Sequence, residues 1–270
     1  MDTIEKTAVV TGAGSGIGRG LARVLSNAGM NLVLVGHHEP PLEETASSLI
    51  GNSIIVEADV SNLEDVQHVA DETIRAFGAA HLLCNNAGVG PFAATQETTI
   101  EEWEWVLSVN LWGVIHGVHV FLPLFEAQKE GHIYATASEA GLYGVPFLAA
   151  YNTSKFAVVG LMQSLERDLR ASGSSVTSSV LCPGATRTHL VEGERPVAAR
   201  REVAVAEKTK AIKKEAAEVV ANGMDPETVA ECVLEGMRKK QFWHFSHDHV
   251  PQTALKQAQI MSASRELSQL

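Results

Sequence analysis

Cysteine is scarce in this sequence, and the shortage removes several classes of protein at once. Cys84, Cys182 and Cys232 are the three cysteines in 270 residues; they lie far apart and form no C-x-x-C pair. A disulfide-stapled secreted fold needs a framework of paired cysteines, so reduced intracellular thiols are expected, with Cys84 and Cys182 buried in their apolar runs. Basic residues are also in the minority: 21 Lys and Arg stand against 32 Asp and Glu, a formal net charge of −11. That balance argues against nucleic acid or an anionic membrane as a partner. The start, MDTIEK, carries acids and no apolar h-region. No signal peptide is read there, and the cytoplasm is the expected compartment. The longest apolar region, VNLWGVIHGVHVFLPLF (109–125), is interrupted by Asn110, His116, His119 and Pro123. It reads as too polar and too broken to span a membrane.

What is present is a regular alternation. TAVVTG (7–12), NLVLVG (31–36), SIIVEAD (53–59), HLLCNN (81–86), GHIYATAS (131–138) and SVTSSVLCPG (175–184) read as strands, and FWHF (242–245) as a seventh. Segments 17–29, 40–50, 62–77, 99–128 and 150–172 carry helix spacing between them. The first four strand runs are apolar on both faces, as expected where helices cover both sides of a parallel sheet. Strict β–α alternation predicts an α/β fold, one doubly wound parallel sheet of about seven strands with helices on both faces. Its ligand crevice would lie beyond the carboxyl ends of the strands.

No repeat or linker divides residues 1–270, so one domain is expected. The texture changes only at 190–223, LVEGERPVAARREVAVAEKTKAIKKEAAEVVANG, which is charged, Ala-rich and helix-prone. It is either a solvated helical excursion or, the favoured reading, a lid over the crevice. Asp225, Pro226 and Glu227 then form a helix-start signature for a helix of about 226–239.

TGAGSGIG (11–18) follows the first strand and opens the first helix. It misses the G-x-G-x-x-G spacing and fits T-G-x-x-x-G-x-G through Gly12, Gly16 and Gly18. Glycines there allow φ > 0 and close approach of a ligand, and helix N-terminal amides attract a pyrophosphate. Alone, the cluster could equally be a tight strand–helix turn. In YNTSK (151–155), Tyr151 and Lys155 are four apart on one helix face. An ammonium near a phenol favours the phenolate, lowering a pKa that starts near about 10 and making the tyrosine a usable acid/base. Standing alone, such a pair is usually just an amphipathic surface. Here Ser138 ends the fifth strand, Asn86 and Gly88 follow the fourth in NNAG, and Asn110 sits in LSVNLWG.

Taken together and in order, T-G-x-x-x-G-x-G, N-N-A-G, the Asn of VNLWG, the Ser, Y-x-x-x-K and P-G-x-x-x-T resemble the short-chain dehydrogenase/reductase family. The resemblance covers about 1–188 with specific motifs, and 225–245 more loosely. It implies a Rossmann-type NAD(P)-binding domain and hydride transfer between a nicotinamide and a secondary alcohol or ketone. Tyr151 would be the general acid/base, with Lys155 lowering its pKa and holding the nicotinamide ribose. Ser138 would bond the substrate oxygen, and Asn110 would support a water-linked proton relay from Lys155. Gly12, Ser15, Gly16, Ile17 and Gly18 would line the pyrophosphate and ribose. Asp59 and Val60 would flank the adenine; Asn86, Ala87 and Gly88 would meet the adenine-side ribose. Pro183, Gly184, Thr186 and Thr188 would hold the nicotinamide amide. Ala137 and Thr186 replace the serine and valine common in the family. Glu139, less usual beside Ser138, is read as a solvated loop acid rather than a substrate contact.

Residues 35–41, VGHHEPP, occupy the place where NAD-binding members put an acid on the adenosine ribose. Gly36 leaves room for a 2′-phosphate, and His37, helped by His38, stands where NADP users often carry arginine. NADP(H) is therefore expected over NAD(H), although Glu39 weakens the local positive potential. Phe92, Tyr143, Val145, Phe147, His189 and Leu190 are expected to form an apolar substrate pocket for a hydrophobic or aromatic alcohol or ketone. Eleven histidines raise the question of a metal. His116 and His119 share a helix face and HFSHDH (244–249) clusters three more, but no supporting cysteine pair or H-E-x-x-H occurs, and no metal is expected. Trp103, Trp105 and Trp112 read as packing residues, and the resemblance implies a homodimer or homotetramer. A scaffold or redox sensor that has lost turnover is the competing class; it would lack the Tyr, Lys or Ser, and all three are present. An epimerase reading is disfavoured by the glycine spacing and chain length.

Overall fold

The computed structural model describes residues 3–188, 190 and 207–263. In chain order its elements are β1 (Thr7–Thr11), α1 (Gly16–Asn27), β2 (Asn31–Gly36), α2 (Glu39–Ser47), β3 (Ser53–Glu57), α3 (Leu63–Phe77), β4 (Leu82–Asn85) and α4 (Ile100–Leu107). There follow α5 (Gly113–Gln128), β5 (His132–Thr136), α6 (Ala149–Ser172), β6 (Thr177–Leu181), α7 (Glu207–Ala221), α8 (Pro226–Arg238), β7 (Trp243–His244) and α9 (His249–Ser262). The strands form one parallel seven-stranded sheet of order β3-β2-β1-β4-β5-β6-β7. The order reverses between β1 and β4, which opens a crevice at their carboxyl ends.

The double-sided apolarity of the strands has a direct consequence in packing. Alternate residues point to opposite faces. Val9, Val33, Leu83, Ile133 and Val180 join one core beneath α3, α5 and α6. Ala8, Val10, Leu32, Leu34, Leu82, Cys84 and Tyr134 join the other, beneath α1 and α8. Every residue of β1 and of β5 is buried. A one-residue register slip would exchange the two cores, so the sheet position of each strand's carboxyl end is strongly specified.

The helix expected over 99–128 is broken. Between α4 and α5, Ser108–Trp112 forms a π-helical turn with Asn110 buried inside it. Such insertions frequently mark functional sites. Ile100–Gln128 is also long and apolar enough, by length and composition, to cross a bilayer, so polarity does not exclude a span as the sequence suggested. Its packing accounts for the apolarity: Val114, Val120, Phe121 and Phe125 lie in the core. The α8 cap is as expected, with the Asp225 side chain accepting from the Glu227 amide. Of the 190–223 segment, Leu190 and 207–223 are described; the remainder lies outside the described residues.

Candidate active site

At the carboxyl end of the sheet lies a cavity of about 740 Å³. β1 delivers Gly12, Ser15, Gly16 and Ile17 to it; β4 delivers Asn86, Ala87 and Gly88; β5 delivers Ser138; α6 delivers Tyr151 and Lys155; and β6 delivers Pro183, Gly184, Thr186 and Thr188. Four strand ends and one helix thus converge, although these residues are spread over more than half of the sequence.

The glycine turn is shaped by close approach. Gly12 has φ of 65°, and a Cβ on Gly18 would collide with the Gly12 carbonyl oxygen. The first helical turn is therefore pressed against the end of β1, and Ser15, Gly16 and Ile17 at its start line the crevice. Thr11, which the motif reading left without a role, holds β4 to this turn. Its hydroxyl donates to the Cys84 carbonyl at 3.2 Å and accepts from the amides of Asn86 and Ala87 at 2.9 and 3.0 Å. Asn86 donates to the Thr11 carbonyl at 3.0 Å and accepts from the Thr136 hydroxyl at 3.0 Å. The NNAG turn is thus fixed to both neighbouring strands.

Tyr151, Lys155 and Ser138 are all buried. Lys155 Nζ lies 5.6 Å from the centroid of the Tyr151 ring and donates to the Thr136 carbonyl at 2.8 Å. Burial lowers the Lys155 ammonium to about 8. Burial also raises the Tyr151 phenol to about 12, with the Ser138 hydroxyl opposing the rise and the Glu139 charge adding to it. In the folded polypeptide, loss of solvation therefore moves Tyr151 opposite to the depression expected from Lys155. Asn110 does not bond to Lys155. Its side chain accepts from the Val89 amide at 2.8 Å and donates to the Val89 carbonyl at 2.9 Å and to Ser154 Oγ at 3.0 Å. Ser154, absent from the motif reading despite lying within YNTSK, donates in turn to the Tyr151 carbonyl at 2.7 Å.

Other expected site residues lie apart from the cavity. Gly36, His37, His38, Asp59 and Val60 sit at the ends of β2 and β3. His37 Nε2 lies 3.2 Å from Asp59 Oδ2, so the imidazole expected to meet a 2′-phosphate already faces an anion. Asp59 also accepts from the amide and hydroxyl of Ser61, and its carboxyl is held below the usual range against the opposing effect of burial. Val60 is a core residue whose carbonyl lies 3.0 Å from His116 Nδ1. His119 is exposed. Among the described residues no group of three or more His, Cys, Asp and Glu side chains is arranged to hold a metal.

Of the expected substrate residues, Phe92, Val145, Phe147 and Leu190 line the cavity. Tyr143 does not: its hydroxyl donates to Glu139 Oε2 at 2.5 Å, drawing the ring away from the cavity wall. His189 lies outside the described residues. Glu139 is not a free loop acid, because it accepts from both Tyr143 and, at 3.0 Å, His249 Nε2. Its position one residue beyond Ser138 was the only sequence signal for this. α7 adds Ile212, Glu215, Ala216, Val219 and Val220 to the wall. No motif marks these residues individually, but all five lie within the 190–223 segment read from the sequence as a lid over the crevice.

The family model for short chain dehydrogenases matches residues 6–199. An uncharacterized oxidoreductase of Listeria monocytogenes is 35% identical over 191 residues, 70% of this chain and 77% of the relative. A D-beta-hydroxybutyrate dehydrogenase of Rhizobium meliloti is 34% identical over 202 residues, covering 73% and 78% of the two chains. Among solved structures, a short chain dehydrogenase/reductase from Burkholderia phymatum in complex with NAD superposes with a TM-score of 0.95. It is 38% identical, over 98% of this chain and 97% of that one.

Proposed function

The chain belongs to the short-chain dehydrogenase/reductase family, and from that premise we propose that it interconverts a secondary alcohol and a ketone with NAD(P)(H). One observation carries the reading: Ser138, Tyr151 and Lys155 share the wall of a single cavity with the glycine turn of β1. The bound dinucleotide would supply or accept the hydride. The cradle fits it, since Gly12 and Gly16, both at positive φ, line the cavity where β1 turns into α1 and present no side chain there. Ser138 Oγ orients the substrate oxygen, and the Tyr151 hydroxyl gives it a proton during reduction and removes one during oxidation. Lys155 keeps positive charge beside that proton transfer and, within the cavity, is placed to bond ribose hydroxyls. Thr186 and Thr188 hold the amide end of the nicotinamide. Asn110, through Ser154, sets the backbone of Tyr151.

The substrate in this reading is apolar. Phe92, Val145, Phe147, Leu190, Ile212 and Val219 dominate the outer wall, with α7 acting as part of a lid. Among the described lining residues the only cation is Lys155, whereas Glu139 and Glu215 supply two acids. This disfavours a small anionic hydroxy acid, even though the Rhizobium meliloti relative is a hydroxybutyrate dehydrogenase. NAD(H) is the preferred dinucleotide here, in place of the NADP(H) expected from Gly36 and His37, because His37 is engaged by the Asp59 carboxylate. The NAD bound to the Burkholderia phymatum protein points the same way. Exposed Ile100, Trp112 and Phe156 on α4, the π-turn and α6 support self-association into a dimer or tetramer. A screen of aromatic and aliphatic ketones with NADH and NADPH, and of the alcohols with the oxidised forms, tests the assignment. Turnover confined to small charged hydroxy acids would overturn the substrate class, and no turnover with any carbonyl or alcohol would overturn the reaction.

A further inference from the structure

The histidine cluster of HFSHDH plays no part in the chemistry above, yet one of its rings is bonded to the cavity loop. β6 and β7 pair in parallel, and the ladder includes the Val180 amide to the Phe242 carbonyl at 2.8 Å and the Cys182 amide to the His244 carbonyl at 3.0 Å. The next amide that would continue this ladder is that of Gly184, and here the backbone partner is replaced. The Gly184 N–H donates to His247 Nδ1 at 3.2 Å, and His247 Nε2 lies 3.1 Å from the Ala185 carbonyl. A carbonyl only accepts, so Nε2 carries the hydrogen; Nδ1, facing an N–H, is the acceptor. The Ser246 hydroxyl, 2.9 Å from Nδ1, is also compatible with that tautomer. One imidazole thus partners the Gly184 amide and, together with the Met224 amide that donates to the same oxygen at 3.0 Å, the Ala185 carbonyl, as a neighbouring strand would.

The fit is close. A Cβ on Gly184 would lie 3.0 Å from both His247 Cγ and His249 Cε1. On the other side, the Pro183 carbonyl accepts from the Glu139 amide at 2.9 Å, which ties the same loop to the serine turn. Pro183, Gly184, Ala185 and Thr186 line the cavity, and His247 supports them from outside it. We propose that His247 is a positioning residue that holds the 183–186 loop in place for the nicotinamide end of the dinucleotide. The proposal rests on the dinucleotide reading above.

The test uses the full chain and two probes, NADH and ADP-ribose, because ADP-ribose has the adenosine and pyrophosphate but lacks the nicotinamide. Affinities are measured by isothermal titration for the wild type, His247→Gln and His247→Phe, with thermal unfolding run alongside. Gln offers a donor and an acceptor on one planar amide; Phe fills the space and offers neither. The expected result is a loss of about tenfold in NADH affinity for His247→Phe, with ADP-ribose affinity unchanged and His247→Gln close to wild type. Equal NADH affinity in all three proteins, equal loss for both probes, or a Gln variant as weak as Phe would overturn the proposal. Should His247→Phe not fold, His247→Asn, whose shorter amide cannot span both groups, takes its place with the same expectations. Absence of NADH and NADPH binding by the wild type would instead remove the dinucleotide reading itself.

Discussion

The side-chain amide of Asn110 donates to Ser154 Oγ across 3.0 Å, joining the π-turn between α4 and α5 to the helix that carries Tyr151. The same amide group exchanges two hydrogen bonds with the backbone of Val89. Asn110→Leu would leave several buried polar groups without partners. The expected loss is about 2–4 kcal/mol of stability, together with reduced turnover. Asn110→Asp keeps the acceptor for the Val89 amide and should fall between the two in urea denaturation. An unchanged midpoint for Asn110→Leu would show that the π-turn does not depend on this side chain.

Replacing Tyr151 with Phe removes the hydroxyl while preserving the buried ring. Turnover should drop about 10²–10⁴-fold, the usual share of a positioned acid/base, with NADH affinity within a few-fold of wild type. Single-turnover kinetics and a binding titration on the same preparations separate the two effects. A variant that retains full turnover would assign the proton transfer elsewhere.

Two buried histidines set an acid limit on stability. Burial holds His132 down to about 3 and His244 to about 4. Below the unfolded value near about 6.5 the unfolded chain binds protons that the folded chain refuses, so stability rises with pH across that interval. Their contribution is fully present above pH ~6.5 and is lost as pH falls toward 4. The melting temperature should decline over that window, and His244→Leu should flatten the decline. A parallel decline in His244→Leu would assign the acid limit to other groups.

Phe147 carries φ of 63°, a conformation costly for a bulky side chain, while its ring lines the cavity and its carbonyl accepts from the Ala93 amide at 3.0 Å. Strain of this kind is tolerated where the side chain serves a site. Phe147→Gly should match or exceed the wild-type melting temperature, yet raise KM for an aromatic ketone about tenfold or more without altering NADH affinity. Loss of thermal stability would place the ring's main contribution in packing.

Because Asp59 engages His37, NADH should bind more tightly than NADPH by about tenfold at neutral pH. His37→Ala should leave that order intact. Tighter NADPH binding, abolished in His37→Ala, would restore the imidazole as a phosphate anchor.

The sheet was legible before any coordinates because a buried parallel strand needs apolar side chains on both faces, and runs such as TAVVT and NLVLV have few other uses. The glycine turn and the Tyr151–Lys155 pair were legible for a similar local reason. φ > 0, close backbone approach and i, i+4 spacing are all properties of neighbouring residues. Ser154 and Thr11 escaped the motif reading because their value comes from partners 44 and 73 residues away. The break in the 99–128 helix escaped it because an apolar period continues through a π-turn almost unchanged.

What the sequence determined by itself is therefore the family, the parallel sheet and the residues its motifs nominate for the site, all encoded in local pattern. The tertiary structure alone decided that His37 faces Asp59, that Tyr143 turns to Glu139 and that His247 completes the ladder beside Gly184. Each of these depends on distances between elements, and a side chain's charge or hydrogen bonds acquire their chemical meaning only from the group that the fold sets opposite.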